Sequence, residues 1–148
     1  MGLITTHITL SNPRVAELEP LDVEALVDPG ALHLCLPAHV ALQLRLEALD
    51  EREVTLADGT RQLVPYVGPV EIRFGNRAGF TGALVLGDQA LLGAVPMEDL
   101  DLVITPSRRS VIVNPDNPNI PASIAKGMSS TIQEVPSPPG TGSSNDGT

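Results

Sequence analysis

Ala25-Leu26-Val27-Asp28-Pro29-Gly30-Ala31 decides how this chain is read. A hydrophobic run delivers one carboxylate straight into a Pro-Gly-Ala turn. Burying a charge costs free energy unless it is paired or hydrogen-bonded, so Asp28 is the residue that needs an explanation. Upstream, Thr5 to Leu10 alternates like an opening strand and Ser11-Asn12-Pro13 breaks it. The stretch from about Val23 to Val27 is a second extended segment that runs into the turn. Downstream, Leu32, Leu34 and Leu36 fall on one strand face with His33 and Cys35 on the other. Pro37 then suits the first turn of a helix carrying Val40, Leu42, Leu44, Leu46 and Leu49.

The remaining chain reads as hairpins. Glu53 to Val64 alternates around Asp58-Gly59, a pair suited to a tight two-residue turn with a polar tip. Val70, Ile72 and Phe74 lead to a second turn at Gly75-Asn76, and the chain returns through Phe80 to Val85. Gly68-Pro69 is expected to separate the two hairpins. After Gly87-Asp88 comes Ala90-Leu91-Leu92-Gly93, then a short helix begun by Pro96 with Glu98 and Asp99 in its first turn. Leu102 to Ile104 and Ser110 to Val113 are closing strands around a Pro-Ser-Arg-Arg turn. Residues 1–120 make the folded domain, and the Pro-, Gly- and Ser-rich stretch 121–148 is expected to be a disordered tail.

Composition narrows the function. The 148 residues include no Trp, one Tyr (Tyr66) and two Phe (Phe74 and Phe80), so the core is aliphatic and favours strands. Eighteen acidic residues against nine basic ones give a net charge of −9, with no basic patch to neutralise phosphates, which argues against nucleic acid. No apolar run approaches the ~20 residues that cross a bilayer, and the start lacks the basic flank and cleavage site of a secretory signal. Met1-Gly2-Leu3-Ile4-Thr5-Thr6 formally fits a myristoylation pattern, but an initiator methionine followed by a strand is the preferred reading. Cys35 is the only cysteine, which excludes an intramolecular disulfide and suits a cytoplasmic protein.

An ordered set of features carries the chemistry. An apolar strand enters Asp28-Pro29-Gly30-Ala31, a strand and Leu36-Pro37 follow, a polar-tipped hairpin comes next, and Leu91-Leu92-Gly93 precedes a short helix. In this order, over Thr5 to Val113, the set resembles the retropepsin-like (retroviral-type) aspartic proteases. The resemblance implies an all-β fold with one or two short helices, a closed barrel-like acid protease with one Asp-x-Gly half-site per chain. It implies Asp28 as catalytic residue and Gly30 as the group holding its carboxylate, with Pro29, Gly30, Ala31, Leu91, Leu92 and Gly93 supporting the catalytic loop. Ala57, Asp58, Gly59 and Thr60 would form the tip of a flap over a peptide or protein substrate, with no cofactor, metal, nucleic acid or membrane involved.

There is no second Asp-x-Gly copy in the sequence. Peptide hydrolysis in this family needs two carboxylates sharing one proton, so the resemblance implies a homodimer. Pro29 departs from the family's Thr or Ser, whose hydroxyl braces the two loops; proline offers neither hydroxyl nor N–H. That departure keeps a second reading open, a catalytically silent relative that binds peptides or a partner protein. A third is a small β-rich domain in which Asp28 merely caps a turn. His33, Cys35 and His39 could suggest a metal, but a strand followed by a helix turns the second histidine away. Glu98-Asp99-Leu100-Asp101 reads as a solvated helix N-terminus.

Overall fold

Period-two alternation of aliphatic residues dominates the chain, and a computed structural model, which describes residues 3–127 and 135, is built accordingly. Its elements are β1 (Ile4–Ser11), β2 (Leu21–Val27), β3 (Leu34–Leu36), α1 (Ala38–Gln43), β4 (Glu47–Thr55), β5 (Arg61–Phe74), β6 (Arg77–Val85), β7 (Ala90–Leu92), α2 (Ala94–Asp99), β8 (Leu102–Thr105) and β9 (Ser110–Val113). The sheet runs β1-β2-β7-β3-β6-β5 and closes on itself where Thr9 to Ser11 of β1 meet Glu71 to Arg73 of β5. Closure leaves these six strands without a free edge. β4 is added outside β5, and β8 and β9 form a separate two-stranded sheet.

Two pairings are parallel, β2 with β7 and β3 with β6; the others are antiparallel. The parallel pairs bring chain segments far apart in sequence to one end of the barrel, where β2 delivers Asp28. Ile8, Leu10, Ala25, Leu34, Leu36, Val70, Ile72, Ala83 and Leu92 are buried inside, joined by Leu44 from just beyond α1 and Leu100 from just beyond α2. Each fully buried aliphatic side chain contributes about 1.5–3 kcal/mol, so the barrel is a rigid frame for the loop at its end. Asn12 is buried where β1 stops, and its amide donates to the carbonyls of Leu44 and Arg45 at 2.9 and 3.1 Å, tying down the end of α1.

Several expected details change. The helix after Pro37 ends at Gln43; Leu46 lies beyond it, Leu49 lies in β4, and Leu42 is exposed. The reason is the spacing, since 40, 42, 44 and 46 repeat every two residues rather than every 3.6. Leu32 is likewise outside β3 and exposed. Gly68-Pro69 does not separate two hairpins: β5 runs through it, with the register to β6 shifting between Val67 and Val70. The first hairpin closes through three residues, Ala57-Asp58-Gly59, because only Gly59 takes positive φ (+89°). Gly75-Asn76 does make a two-residue turn, with Phe74 opposite Arg77. Residues 128–134 and 136–148 of the expected tail, and Gly2 of the myristoylation pattern, lie outside the described residues.

Candidate active site

The Asp28 loop is held by backbone. The Asp28 N–H donates to the Leu92 carbonyl at 3.0 Å, extending the β2–β7 ladder by one residue. The Asp28 carbonyl accepts from the Ala31 N–H at 3.1 Å, which closes the turn. The Gly30 N–H donates to Asp28 Oδ1 at 3.0 Å and fixes the carboxylate's orientation. From the other side, the N–H groups of Ala94 and Val95 donate to the carbonyls of Ala31 and Leu32 at 2.8 and 2.9 Å. Asp28 is half-buried, while Pro29 and Gly30 are exposed.

Gly93 makes this crossing possible. A Cβ there would lie 2.5 Å from the His33 carbonyl oxygen and 2.6 Å from the Leu32 carbonyl carbon, both backbone atoms that cannot swing away. Leu92 is buried in the barrel core, and its carbonyl holds Asp28. Leu91 faces the opposite way, into a second cluster outside the barrel.

That second cluster forms a floor beside the loop. Strand register places Leu26 opposite Leu91, Leu91 opposite Cys35, Cys35 opposite Leu84, and Leu84 opposite Tyr66. Five side chains from β2, β7, β3, β6 and β5 thus make one lateral apolar row. Val54 and Val64 of the β4–β5 hairpin pack on the same cluster. The Arg52 guanidinium lies 4.0 Å from the Tyr66 ring centroid. Burial, and secondly the charge of Asp28, push the Cys35 thiol above its ordinary pKa, so it stays protonated.

The hairpin tip is organised within itself. Asp58 Oδ1 accepts from the Thr60 hydroxyl at 2.7 Å and from its N–H at 3.0 Å, which hold the carboxyl below the usual range. Ala57 to Thr60 are exposed, and among the described residues none bonds to the Asp28 loop. The structure therefore brings together Asp28, Gly30, Ala31, Leu92 and Gly93, and places the tip residues apart. His33 is half-buried and His39 exposed, and no group of three or more potential metal ligands converges among the described residues.

Glu98-Asp99-Leu100-Asp101 is not a helix N-terminus. The bonds from Ala94 and Val95 start α2 at Ala94 with Gly93 as N-cap, two residues before Pro96, so the acids fall at its C-terminal end. Asp101, at φ +55°, accepts from Asn114 Nδ2 (3.1 Å), Asn117 Nδ2 (2.9 Å) and the Ala122 N–H (2.9 Å). Chiefly the Ala122 bond, then those of the asparagines and the charge of Arg77, lower its carboxyl pKa. Arg77 is fully buried, 4.0 Å from Asp101, and donates to the Asn117 carbonyl. This anchor straps 114–122 against β6; its only sequence signal is a run of Asn that reads as loop.

No protein-family model matches the sequence, and no curated protein does. Among solved structures, the chain is similar to the retroviral protease-like domain of Ddi1 from Leishmania major, with 12% identity, TM-score 0.51, and coverage of 86% of this chain and 99% of that one. It is also similar to EIAV protease in complex with the inhibitor HBY-793, at 21% identity and TM-score 0.49 over 70% and 93% of the two chains. A retropepsin-like aspartic protease from Rickettsia conorii matches at 18% identity and TM-score 0.41 over 72% and 91%. The Leishmania domain is matched over nearly its whole length, and it shares this chain's fold.

Proposed function

From a chain with the retropepsin-like fold, we propose an aspartic endopeptidase whose domain, residues 1–120, works in the cytoplasm as a homodimer. The observation that carries this reading is the presentation of Asp28. Its carboxylate is oriented by the Gly30 N–H, on a loop locked from behind by Leu92 to Val95, with Pro29 and Gly30 exposed for a partner. Asp28 and its symmetry mate would hold one water and share one proton, one carboxylate acting as base and the other as acid.

The floor from Leu26 to Tyr66 would receive an extended peptide, and the β4–β5 hairpin would close over it with Ala57 to Thr60 at its tip. Such a substrate adds strand-like backbone hydrogen bonds. Pro29, Gly30 and Ala31 shape the loop, Leu92 and Gly93 support it, and Leu91 serves the floor. The test is cleavage of a mixed peptide library by the parent and by Asp28→Asn. Cleavage by the parent alone supports the proposal, because an amide cannot act as the base. Equal cleavage by both removes it.

Pro29 favours a second reading, a silent relative that binds peptides in the same cleft. Absence of cleavage with retained peptide binding and dimerisation would select it.

A further inference from the structure

Arg77, the first residue of β6, is fully buried, yet its Nε and Nη1 have no hydrogen-bond partner among the described residues. Unpaired buried N–H groups cost free energy, and an apolar side chain of similar length would avoid that cost. Stability therefore does not account for a guanidinium here. Its polar contacts are with the Asn117 carbonyl and, at 4.0 Å, with Asp101. Both lie at the base of the β8–β9 hairpin, since Asp101 directly precedes β8 and Asn114 directly follows β9. The Asn114 N–H donates to the Asp101 carbonyl at 3.0 Å and its side-chain amide to Oδ1 at 3.1 Å. The Asn117 amide and the Ala122 N–H hold Oδ2, both at 2.9 Å. The hairpin is clamped at its base, and the clamp closes over Arg77.

The other end of the hairpin reaches the Asp28 loop. Ile104, Pro106 and Arg109 line a cavity of about 430 Å³ together with Val27 and Pro29. Backbone bonds from Leu92, Ala94 and Val95 hold the loop from behind, whereas at this cavity Pro29 has neither an N–H nor a hydroxyl to donate. Strands of four residues make a lever of about 13 Å, so a small rotation at the base displaces the tip beside Pro29. We infer that Arg77 is a positioning residue for the Asp28 loop: it clamps the base of the β8–β9 hairpin, whose tip walls the loop on the Pro29 side. The inference rests on the proposed role of the Asp28 loop and names what steadies it there.

The test uses the full chain and reads two amides by hydrogen exchange in NMR at neutral pH. The Ala122 N–H reports the clamp, and the Ala31 N–H, which closes the Asp28 turn, reports the loop. Arg77→Met removes the guanidinium and should speed exchange of both amides about tenfold. Ile72→Val in the barrel core, compared with it at equal global stability in urea, should leave Ala31 at the parental rate. Pro106→Gly at the exposed tip should speed Ala31 and leave Ala122 unchanged, a result that stands even where Arg77→Met does not fold. In an Asp101→Asn background, Arg77→Met should add nothing at Ala31, because the clamp is already lost. An Ala31 rate unmoved by Arg77→Met or by Pro106→Gly, a rate moved equally by Ile72→Val, or an additive double variant overturns the inference. The expected changes at Ala31 without peptide cleavage by the parent leave the inference standing and remove the protease; parental cleavage with Ala31 indifferent does the reverse.

Discussion

The Asp28 loop and the β4–β5 hairpin both border the apolar floor, and they are built oppositely. The loop is knitted by backbone bonds from two directions and has Gly93 where nothing larger fits. The hairpin is an exposed two-stranded extension whose tip bonds only within itself and whose Gly59 has open space around it. The proposed chemistry, a carboxylate held in one place under a cover that opens to admit a chain, would use a rigid loop beside a less stable hairpin.

Two glycine substitutions should separate the regions most widely. Gly93→Ala drives a methyl into the Leu32 and His33 backbone and is expected to cost about 3 kcal/mol or more. Gly59→Ala has only its positive φ to contend with, a cost of about 1–2 kcal/mol. Urea midpoints read both. Equal losses would mean that the loop yields as readily as the hairpin.

Asp58 and Asp101 sharpen the contrast through pH. Both carboxyls are held below their ordinary pKa, Asp101 first by the Ala122 N–H and Asp58 first by the Thr60 hydroxyl. A depressed folded pKa stabilises the protein above the unfolded value and loses that contribution as pH falls through the folded one. Asp101 ties α2 to the 114–122 segment, whereas Asp58 serves one turn. Asp101→Asn should therefore lower the melting temperature near neutrality more than Asp58→Asn. In both cases the gap from the parent should narrow below about pH 4. A gap that widens in acid would contradict the assignment.

Much of this was legible in the sequence because it is local. Asp28 at the end of an apolar run, Asp-Gly at a hairpin tip and Leu92-Gly93 before a helix are each set by a few adjacent residues. The floor was not legible, because Leu26, Leu91, Cys35, Leu84 and Tyr66 meet only through the register of five strands, two of the pairings parallel. The start of α2 was misplaced because Pro96 looks like the first helical residue, while the actual determinant is a pair of backbone bonds to residues more than sixty positions earlier. Arg77 offered no signal, since its burial depends on the strap that folds over it.

A smaller effect is expected at Pro29, which is exposed and lines a mostly apolar cavity with Leu3, Ile4, Val27, Ile104, Pro106 and Arg109. Pro29→Thr restores a hydroxyl and an N–H on a loop that would face its symmetry mate. Dimer affinity should rise by about 1–2 kcal/mol, each bond being counted twice, while monomer stability falls by roughly 0.4–1 kcal/mol. Sedimentation over a dilution series measures the first and urea titration the second. Weaker dimerisation would mean that apolar contact at Pro29 has replaced the hydroxyl brace.

The central claim is that Asp28 is half of a site completed by a second copy. Parent and Asp28→Asn chains, mixed at constant total concentration well above the dimer dissociation constant, test it directly. If both carboxylates of a dimer are needed, an equal mixture should retain about one quarter of the parental peptidase activity, since only parent–parent dimers cleave. Retention of about one half would show that each chain acts alone, and would contradict the account.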